Sequence, residues 1–410
     1  MKRNAINVLQ KWKSAEQRTP FYLTGIKGVG KTYLAYDFVN SFFDSYLYLS
    51  FEHNHELVER FEALDSSQIF SALADYFEIP EEMLFSVPFI FDEVYLCPHF
   101  METLWDLIKN RTDLYWIFLS SFDVLNPSVK EHLFCHTLFP LQFDEFLIAL
   151  GKEWYVEVIQ AHFQSKRKVP EIVHQELLST FDEYLWLGGM PDVINEYLSM
   201  ESYVNTVDRQ FLQKQMQLFG LQSVPEESVG YKAQQVFSTI EEQLKKENQK
   251  FQFNLIRKGI TYQMYQPALE FLETHNMVYR INKIDNSHQF KLYYPDFSMN
   301  SSCRNDELTA VERHLRLQNY LYQTMVQANF DCYFWEAKSQ ATVDFIIKRD
   351  EEYIPVELKA EGKSKRKSIH SFGKEYTAQK SLKFSASNFV ESDEETVLPV
   401  YSLFCFLNCR

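Results

Sequence analysis

One glycine-rich segment, residues 21–32, constrains the fold of this chain more than any other feature. It reads as an apolar strand, then the pattern G-x-x-x-x-G-K-T, then a helix from about Tyr33 to Phe43. In a P-loop of this pattern, glycines let backbone N–H groups and a helix N-terminus surround a phosphate chain. Only 11 glycines occur in 410 residues, and three of them, Gly25, Gly28 and Gly30, lie in this loop. A plain glycine turn is the alternative, but the pattern predicts a nucleoside-triphosphate site.

The polar residues that close the loop have distinct predicted roles. Lys31 is expected to reach the β- and γ-phosphates, and the Thr32 hydroxyl is expected to ligate Mg²⁺. A second segment, 87–93, is an apolar run that ends in Asp92 and Glu93. Such a run is typical of a buried parallel strand, whose carboxyl end faces the ligand in open α/β sheets. Asp92 is therefore a candidate Mg²⁺ ligand, and Glu93 a candidate base for an attacking water.

Two further observations bear on this site. Taken alone, the segment 87–93 also fits a strand followed by an acidic turn. A third strand, 114–119, ends at Ser120 and Ser121. A polar residue there is placed to sense the γ-phosphate or to position water, so Ser121 is included among the nucleotide-binding candidates.

Composition limits the classes of protein that remain. A chain of 410 residues suggests two to four domains. No run of about twenty apolar residues occurs, so no membrane span is expected. The six cysteines form no C-x-x-C pair, which favours reduced thiols in a cytoplasmic protein. A net charge of −15 argues against wholesale coating of DNA.

The middle of the chain changes character along its length. Strand and helix signals alternate up to about residue 140, 141–220 is helical, and 222–228 has the composition of a linker. Residues 229–298 predict short helices followed by a β-hairpin over 277–281 and 289–293. This order suggests a winged helix, which either binds DNA or only joins domains.

The last part of the chain predicts a helix over about 308–327 and strands at 333–335, 343–347 and 353–359. Glu357 and Lys359 share one strand face, and Asp344 lies near the start of the neighbouring strand. Two carboxylates with a lysine can bind Mg²⁺ and orient a metal-activated water. A charged strand edge is the alternative. The most basic run, 363–367, fits either a solvated loop or a contact with a phosphate backbone.

Together these segments resemble a large prokaryotic family of AAA-type ATPases. Its members carry a C-terminal conserved domain of unknown function that ends in a restriction-endonuclease-like PD-(D/E)XK segment. The resemblance covers nearly the whole chain. The motifs that carry it are L-T-G-x-x-x-V-G-K-T at 23–32, F-x-F-D-E at 89–93, P-L-x-F-x-E-F at 140–146, G-G-x-P at 188–191, K-L-Y-x-x-D at 291–296, Y-F-W at 333–335, V-D-F at 343–345 and I-P-V-E-L-K-A at 354–360.

The resemblance implies an α/β multidomain chain that uses ATP and Mg²⁺. It implies a P-loop AAA-type core with a parallel sheet at 1–140, a helical lid and linker at 141–225, a winged-helix-like segment at 226–300 and a PD-(D/E)XK nuclease-like domain at 301–410. Carried over, the ATPase residues are Lys31, Thr32, Asp92 and Glu93, and the nuclease-like residues are Asp344, Glu357 and Lys359.

Three departures from the family pattern are visible. A Glu-Asn pair of the family is Gln318-Asn319 here, and the acid before V-D-F is Thr342. Both changes should weaken metal binding at Asp344. An arginine that the family places before its P-L pair falls at His132, and no arginine occurs between Arg111 and Arg167. Turnover of ATP should therefore be slow.

Three functions remain open from the sequence. The first is an ATP-hydrolysing switch that acts on the winged-helix and nuclease-like regions. The second is an ATP-gated DNA nuclease in defence or mobile-element biology, and the third is a non-cleaving regulator that binds DNA or a protein. A homo-oligomer is expected if the ATP site is completed between subunits.

Overall fold

The computed structural model of the protein describes residues 1–52, 54–123, 125–199, 203–221, 227–300, 308–337, 341–359, 366–393 and 395–408. Most of the predicted linker at 222–228, residues 363–365 of the basic run, Cys303 and Cys409 lie outside these ranges. The chain divides into two compact units, Lys2–Phe139 and Pro140–Arg410, which we name the N-terminal and the C-terminal unit.

Helices and strands alternate first and then segregate. The α-helices, numbered α1 to α16, are Ile6–Lys13, Lys31–Phe42, His55–Glu62, Ile69–Phe77, Met83–Ser86, Pro98–Ile108, Pro127–Lys130, Phe143–Ala149, Glu153–Ser165, Glu171–Leu187, Pro191–Leu198, Tyr203–Gly220, Glu227–Leu244, Tyr262–Thr274, Ala310–Gln327 and Arg366–Phe372. The strands, numbered β1 to β13, are Phe21–Thr24, Leu47–Ser50, Phe89–Asp92, Trp116–Ser120, Phe134–Thr137, Tyr279–Lys283, Asn286–Tyr293, Asp331–Glu336, Thr342–Arg349, Glu352–Leu358, Ser381–Ser385, Val390–Glu391 and Glu395–Pro399. Within the described ranges, no helix combines the length and the apolar character that crossing a membrane requires.

The N-terminal unit is built on a five-stranded parallel sheet in the order β2-β3-β4-β1-β5. Strands β1, β3 and β4 are buried along their whole length, as expected for continuous apolar runs in a sheet that is covered on both faces. Since the strands run in one direction, their carboxyl ends at Thr24, Asp92 and Ser120 meet at a single edge. The predicted α/β core with a parallel sheet is confirmed.

Aromatic side chains fill the space between this sheet and the helices beside it. Phe89, Phe91 and Trp116 on the strands pack in one cluster with Phe61 of α3 and Phe100 of α6. Burying each such side chain stabilises the fold by about 1.5–3 kcal/mol relative to leaving it in water. This cluster holds β3 and β4 in place, and with them the polar residues at their ends.

The C-terminal unit contains an eight-stranded mixed sheet in the order β12-β13-β11-β10-β9-β8-β6-β7. Strands β8, β9 and β10 form an antiparallel meander, whereas β11 joins β10 in parallel after helix α16. The tight turn between β9 and β10 has Asp350 at φ 54°, a left-handed conformation that Asp tolerates better than most residues. The two strands that the sequence predicted as neighbours, β9 and β10, are therefore paired in the sheet.

The predicted helix-then-hairpin segment is part of the same sheet. Helices α13 and α14 are followed by the antiparallel hairpin of β6 and β7. Strand β6 pairs in parallel with β8, which makes the hairpin one end of the eight-stranded sheet. The winged-helix assignment stays a prediction, and the hairpin is continuous with the strands that carry Asp344 and Glu357.

A buried cluster around Asp296 joins three of the motifs that carry the family resemblance. The Asp296 carboxylate accepts the N–H groups of Gly189 (2.8 Å) and Ser298 (2.9 Å) and also the Ser298 hydroxyl. The N–H of Leu141 donates to the Gly189 carbonyl at 2.8 Å. A Cβ on Gly189 would lie 2.6 Å from the Leu141 carbonyl oxygen, so only glycine fits. We call Leu141, Gly189, Asp296, Ser298 and the neighbouring Arg316 the Asp296 cluster.

The position of Arg316 explains why this cluster tolerates a buried carboxylate. Arg316 on α15 has no solvent exposure and donates to the carbonyl oxygens of Leu185, Trp186 and Ser298. Burial raises the pKa of Asp296, while the hydrogen bonds of Ser298 and Gly189 and the charge of Arg316 counteract that rise. Leu141, Gly189 and Asp296, one residue from each of the three motifs, therefore contribute to the packing of the C-terminal unit.

Candidate functional site

The glycine loop of the N-terminal unit has the backbone that the sequence pattern predicts. Gly25, Gly28 and Gly30 have φ values of 149°, 81° and 97°, where side chains are strongly disfavoured. At Gly25 the reason is also spatial, because a Cβ would lie 2.5 Å from the carbonyl oxygen of Leu138. Helix α2 then begins at Lys31, two residues earlier than the sequence suggested, so Lys31 and Thr32 lie in its first turn.

Lys31 is buried and held by three neighbours. Its side chain is 4% exposed, and Nζ donates to the Gly25 carbonyl (3.0 Å) and to the Ser121 hydroxyl (2.8 Å). The carboxylate of Glu93 lies 3.8 Å from Nζ. The ammonium group is therefore placed inside the loop, where the loop's backbone N–H groups also converge.

Thr32 and Asp92 are brought together as predicted. The Thr32 hydroxyl donates to Oδ2 of Asp92 at 2.7 Å, and the Tyr48 hydroxyl donates to the same oxygen at 2.9 Å. Asp92 is 4% exposed, and burial raises its pKa, whereas the bonds from Thr32 and Tyr48 lower it. No sequence motif predicts a role for Tyr48. It reaches Asp92 because its strand, β2, pairs with β3.

The donor set here fits Mg²⁺. Within the described part of the chain, Oδ1 of Asp92 is buried and accepts no hydrogen bond. Mg²⁺ in phosphate sites uses one or two carboxylates together with phosphate oxygens and water. Asp92 Oδ1 and the Thr32 hydroxyl are the oxygens that this loop offers for that purpose.

Glu93 is buried and bonded to Ser121. Its Oε2 accepts the Ser121 N–H at 2.9 Å, and its Oε1 accepts the Ser121 hydroxyl at 2.6 Å. Its backbone has φ 54°, a left-handed conformation that costs on the order of 1–3 kcal/mol in a non-glycine residue. Such strain commonly marks functional sites, and here it turns the Glu93 side chain towards Ser121 and Lys31.

Two basic residues near the loop were missed by the sequence analysis. Arg3 donates to the carbonyl of Val29 at 2.9 Å and to the carbonyl of Phe139 at 2.6 Å. Lys27 forms an ion pair with Glu52. Arg3 therefore links Val29 of the glycine loop to Phe139 through hydrogen bonds to both backbone carbonyls.

In the C-terminal unit, Asp344 and Glu357 lie together, and Lys359 is exposed. Strands β9 and β10 pair Phe345 with Val356, and the same register continued by one residue sets Asp344 opposite Glu357. Both carboxylates line one small cavity. Lys359 follows the last residue of β10 and its side chain is exposed.

Asp344 also lines a larger cavity of about 180 Å³. The Lys291 ammonium lies 3.7 Å from its Oδ1 and donates to Oε1 of Gln249 at 3.1 Å. Gln249 in turn donates to Oε1 of Gln318 at 3.0 Å. Gln318 is thus beside Asp344, whereas its neighbour Asn319 bonds to the backbone of Tyr294.

The donor set of this second site does not fit a divalent metal ion. Gln318 and Thr342 both line the Asp344 cavity as uncharged residues, and the Lys291 ammonium lies 3.7 Å from the Asp344 carboxylate. Among the described residues, no three His, Cys, Asp or Glu side chains are grouped so that they would hold a metal ion. The two uncharged residues, which are expected to weaken metal binding, are accompanied by Lys291, the first residue of the K-L-Y-x-x-D motif, which the sequence did not place at this site.

Comparison with protein families gives three matches along the chain. Residues 17–147 match an AAA domain, residues 178–307 match a domain of unknown function (DUF8612), and residues 311–403 match another domain of unknown function (DUF4143). The nucleotide-site residues from Gly25 to Ser121 all fall within the first match. The prediction of an AAA-type P-loop domain is confirmed, while the nuclease-like and winged-helix assignments stay predictions.

Two solved structures show distant likeness. PCH-2 from C. elegans is 15% identical at a TM-score of 0.22, with 62% of this chain and 59% of that chain covered. The Aeropyrum pernix ORC1 protein, solved in complex with DNA, is 12% identical at a TM-score of 0.29, with 77% of this chain and 91% of that chain covered. The chain spans about three fifths of the length of the C. elegans chain. Comparison with curated proteins gives no match.

Proposed function

We propose that this protein is a Mg²⁺-dependent ATPase that acts as a molecular switch on its own C-terminal region. The observation that carries the proposal is the meeting of Lys31, Thr32, Asp92, Glu93 and Ser121 at the carboxyl edge of the parallel sheet. Each of these residue types is needed for a different part of phosphoryl transfer to water.

The binding step uses groups that the fold already orients. The N–H groups of the glycine loop and the N-terminus of α2 would surround the phosphates, with Lys31 at the β- and γ-phosphates. Thr32 and Asp92 would hold Mg²⁺, which neutralises charge on the phosphate oxygens. Asp92 is fixed for this role by its bonds from Thr32 and Tyr48.

The hydrolytic step requires a change in the contacts of Glu93. Both of its oxygens accept hydrogen bonds from Ser121, and Lys31 lies nearby. Phosphate oxygens compete for the Lys31 ammonium and for the Ser121 hydroxyl, because both are donors. Release from these donors would leave Glu93 able to orient a water and to accept its proton. This rearrangement is the proposed switch.

Turnover should be slow in the isolated protein. No arginine occurs between Arg111 and Arg167, and Arg3 is engaged with two backbone carbonyls. Stabilisation of transition-state charge by an arginine is worth about 10³–10⁵ in rate in related chemistry. A second copy of the chain or a protein partner is the proposed source of any such residue.

Replacement of Glu93 by glutamine tests this proposal. Glu93→Gln keeps the size of the side chain but removes the base, so we expect ATP binding to persist and phosphate release to fall at least a hundredfold. Glu131→Gln, an exposed glutamate of the same unit, is the matched control. Unchanged turnover in Glu93→Gln would refute the role of Glu93.

For the C-terminal unit we propose a winged-helix and nuclease-like region that binds DNA or a protein without cutting it. The nuclease-like part rests on the shared cavity of Asp344 and Glu357, and the loss of cutting rests on Gln318 and Lys291 beside Asp344. Incubation with supercoiled, linear and single-stranded DNA, with Mg²⁺ or Mn²⁺ and with or without ATP, distinguishes the alternatives. Cleavage that disappears in Lys359→Ala would instead make the protein an ATP-gated nuclease.

A further inference from the structure

The cavity beside Asp344 holds a lysine where a nuclease-like site needs a metal ion. Lys291 enters from β7 of the hairpin, and Asp344 enters from β9. Their side chains are 9% and 12% exposed, and Nζ lies 3.7 Å from Oδ1. This pair is therefore largely shielded from water, so its mutual attraction is stronger than that of a surface pair.

The surroundings of Lys291 fix its ammonium group in this position. Nζ donates to Oε1 of Gln249, and it lies 5.0 Å from the ring centre of Phe334, a distance at which a cation is attracted to an aromatic face. Gln249 is itself anchored, since its amide donates to Gln318 and to the carbonyl of Leu244. A chain of hydrogen bonds thus runs from Gln318 through Gln249 to Lys291.

The charges at the cavity favour the Lys291 ammonium, and not a bound metal ion, as the cation beside Asp344. A divalent metal ion needs several oxygen ligands with negative charge, and an ammonium group that is paired with a carboxylate competes with a metal ion for that carboxylate. Gln318 supplies an uncharged amide oxygen that already accepts a hydrogen bond, and Thr342 supplies no charge. Of the two other acids that line the cavity, Glu336 forms an ion pair with Lys250 at 2.6 Å, and Glu247 is exposed to solvent.

We propose that Lys291 takes the place of the divalent cation at Asp344, so that the C-terminal site of this chain binds no metal ion. This inference rests on the nuclease-like part of the proposed function. The ATP site in the N-terminal unit is independent of it.

Mn²⁺ binding to the full-length, nucleotide-free protein tests the inference. All variants carry Asp92→Asn, so that the Mg²⁺ position of the ATP site does not contribute. Titration with Mn²⁺, followed by the paramagnetic resonance of the free ion, gives the number of bound ions. We expect none for the parent and one for Lys291→Met, since this variant removes the positive charge that lies 3.7 Å from Oδ1 of Asp344.

Matched variants keep the result interpretable. Lys250→Met removes a lysine of the same cavity that pairs with Glu336 instead, and it should gain no ion. The combined variant Lys291→Met with Gln318→Glu should bind Mn²⁺ at least tenfold more tightly than Lys291→Met alone. When Asp344→Asn is added to this combined variant, the additional Mn²⁺ ion should no longer bind. Lys291→Gln, whose amide can still donate to Gln249, repeats the test if Lys291→Met does not fold.

Two results would overturn the inference in different ways. A parent protein that binds one Mn²⁺ and loses it with Asp344→Asn would show that Lys291 does not replace the metal, while the nuclease-like assignment would survive. Failure of every Lys291 variant to gain an ion would contradict both the inference and the nuclease-like assignment. Neither result would touch the proposed ATPase activity.

Discussion

Removal of the Asp296 carboxylate should cost the C-terminal unit more stability than most single substitutions. Asp296→Ala leaves the N–H groups of Gly189 and Ser298 buried without their acceptor. A buried donor left unsatisfied costs about 1–3 kcal/mol. The same change removes the negative charge next to Arg316, which has no solvent exposure. Two buried N–H groups lose their acceptor, so we expect a loss of about 4 kcal/mol in the free energy of unfolding.

Urea unfolding followed by circular dichroism measures this loss. Asp296→Asn keeps one acceptor oxygen but turns an amide donor towards one of the two N–H groups, so its cost should fall between that of alanine and the wild type. Asp208→Ala, at an exposed position of α12, is the control and should change the free energy of unfolding by less than about 0.5 kcal/mol. Since domains are stable by only about 5–15 kcal/mol, the effect of Asp296→Ala should be plain.

A small effect would refute the reasoning. If Asp296→Ala lowers the free energy of unfolding by less than about 1 kcal/mol, its three hydrogen bonds do not hold the 188–191 turn. The motifs at 140–146, 188–191 and 291–296 would then need a role other than packing. Retained ATP binding in a destabilised Asp296→Ala protein would agree with the assignment of these motifs to the C-terminal unit.

Two further substitutions test the nucleotide site. Gly25→Ala should abolish ATP binding, because its Cβ would meet the Leu138 carbonyl oxygen. Gly151→Ala is the control and should leave ATP binding intact, because a Cβ on Gly151, at φ 70°, would have no atom within 4 Å. Titration with a fluorescent nucleotide measures ATP binding in both variants. Tyr48→Phe removes a hydrogen bond that lowers the pKa of Asp92, so that pKa should rise further. Because Asp92 must be ionised to hold Mg²⁺, hydrolysis is lost as pH falls through this pKa. The acid limb of the pH–rate profile should therefore move to higher pH in Tyr48→Phe. An acid limb at the same pH as in the wild type would contradict the role of Asp92.

The nucleotide site was predictable because its residues are set by local sequence. The positions of Gly25, Lys31 and Thr32 follow from one strand–loop–helix segment, and Asp92 follows from the end of one apolar strand. Parallel strands then bring these ends together without further information. Tyr48, which donates the second hydrogen bond to Asp92, could not be predicted in this way. Its contact with Asp92 depends on which strand lies beside β3.

The C-terminal site was harder to predict because its partners are distant in sequence. Asp344 and Glu357 belong to adjacent strands of a meander, and strand alternation was sufficient to place them together. Lys291 is more than fifty residues away and reaches Asp344 only because the hairpin of β6 and β7 joins the same sheet. Lys359 shares a strand face with Glu357 by alternation, and the structure shows it exposed one residue past the end of β10.

Phosphate release from ATP in the presence of Mg²⁺, compared between the wild-type protein, Lys31→Ala and Lys27→Ala, tests the central proposal most directly. Both lysines lie in the glycine loop, but Lys31 is buried between Gly25 and Ser121 whereas Lys27 pairs with Glu52. We predict slow, Mg²⁺-dependent release by the wild type and by Lys27→Ala, and none above background by Lys31→Ala. Equal release by Lys31→Ala and the wild type would contradict an ATPase site in this loop.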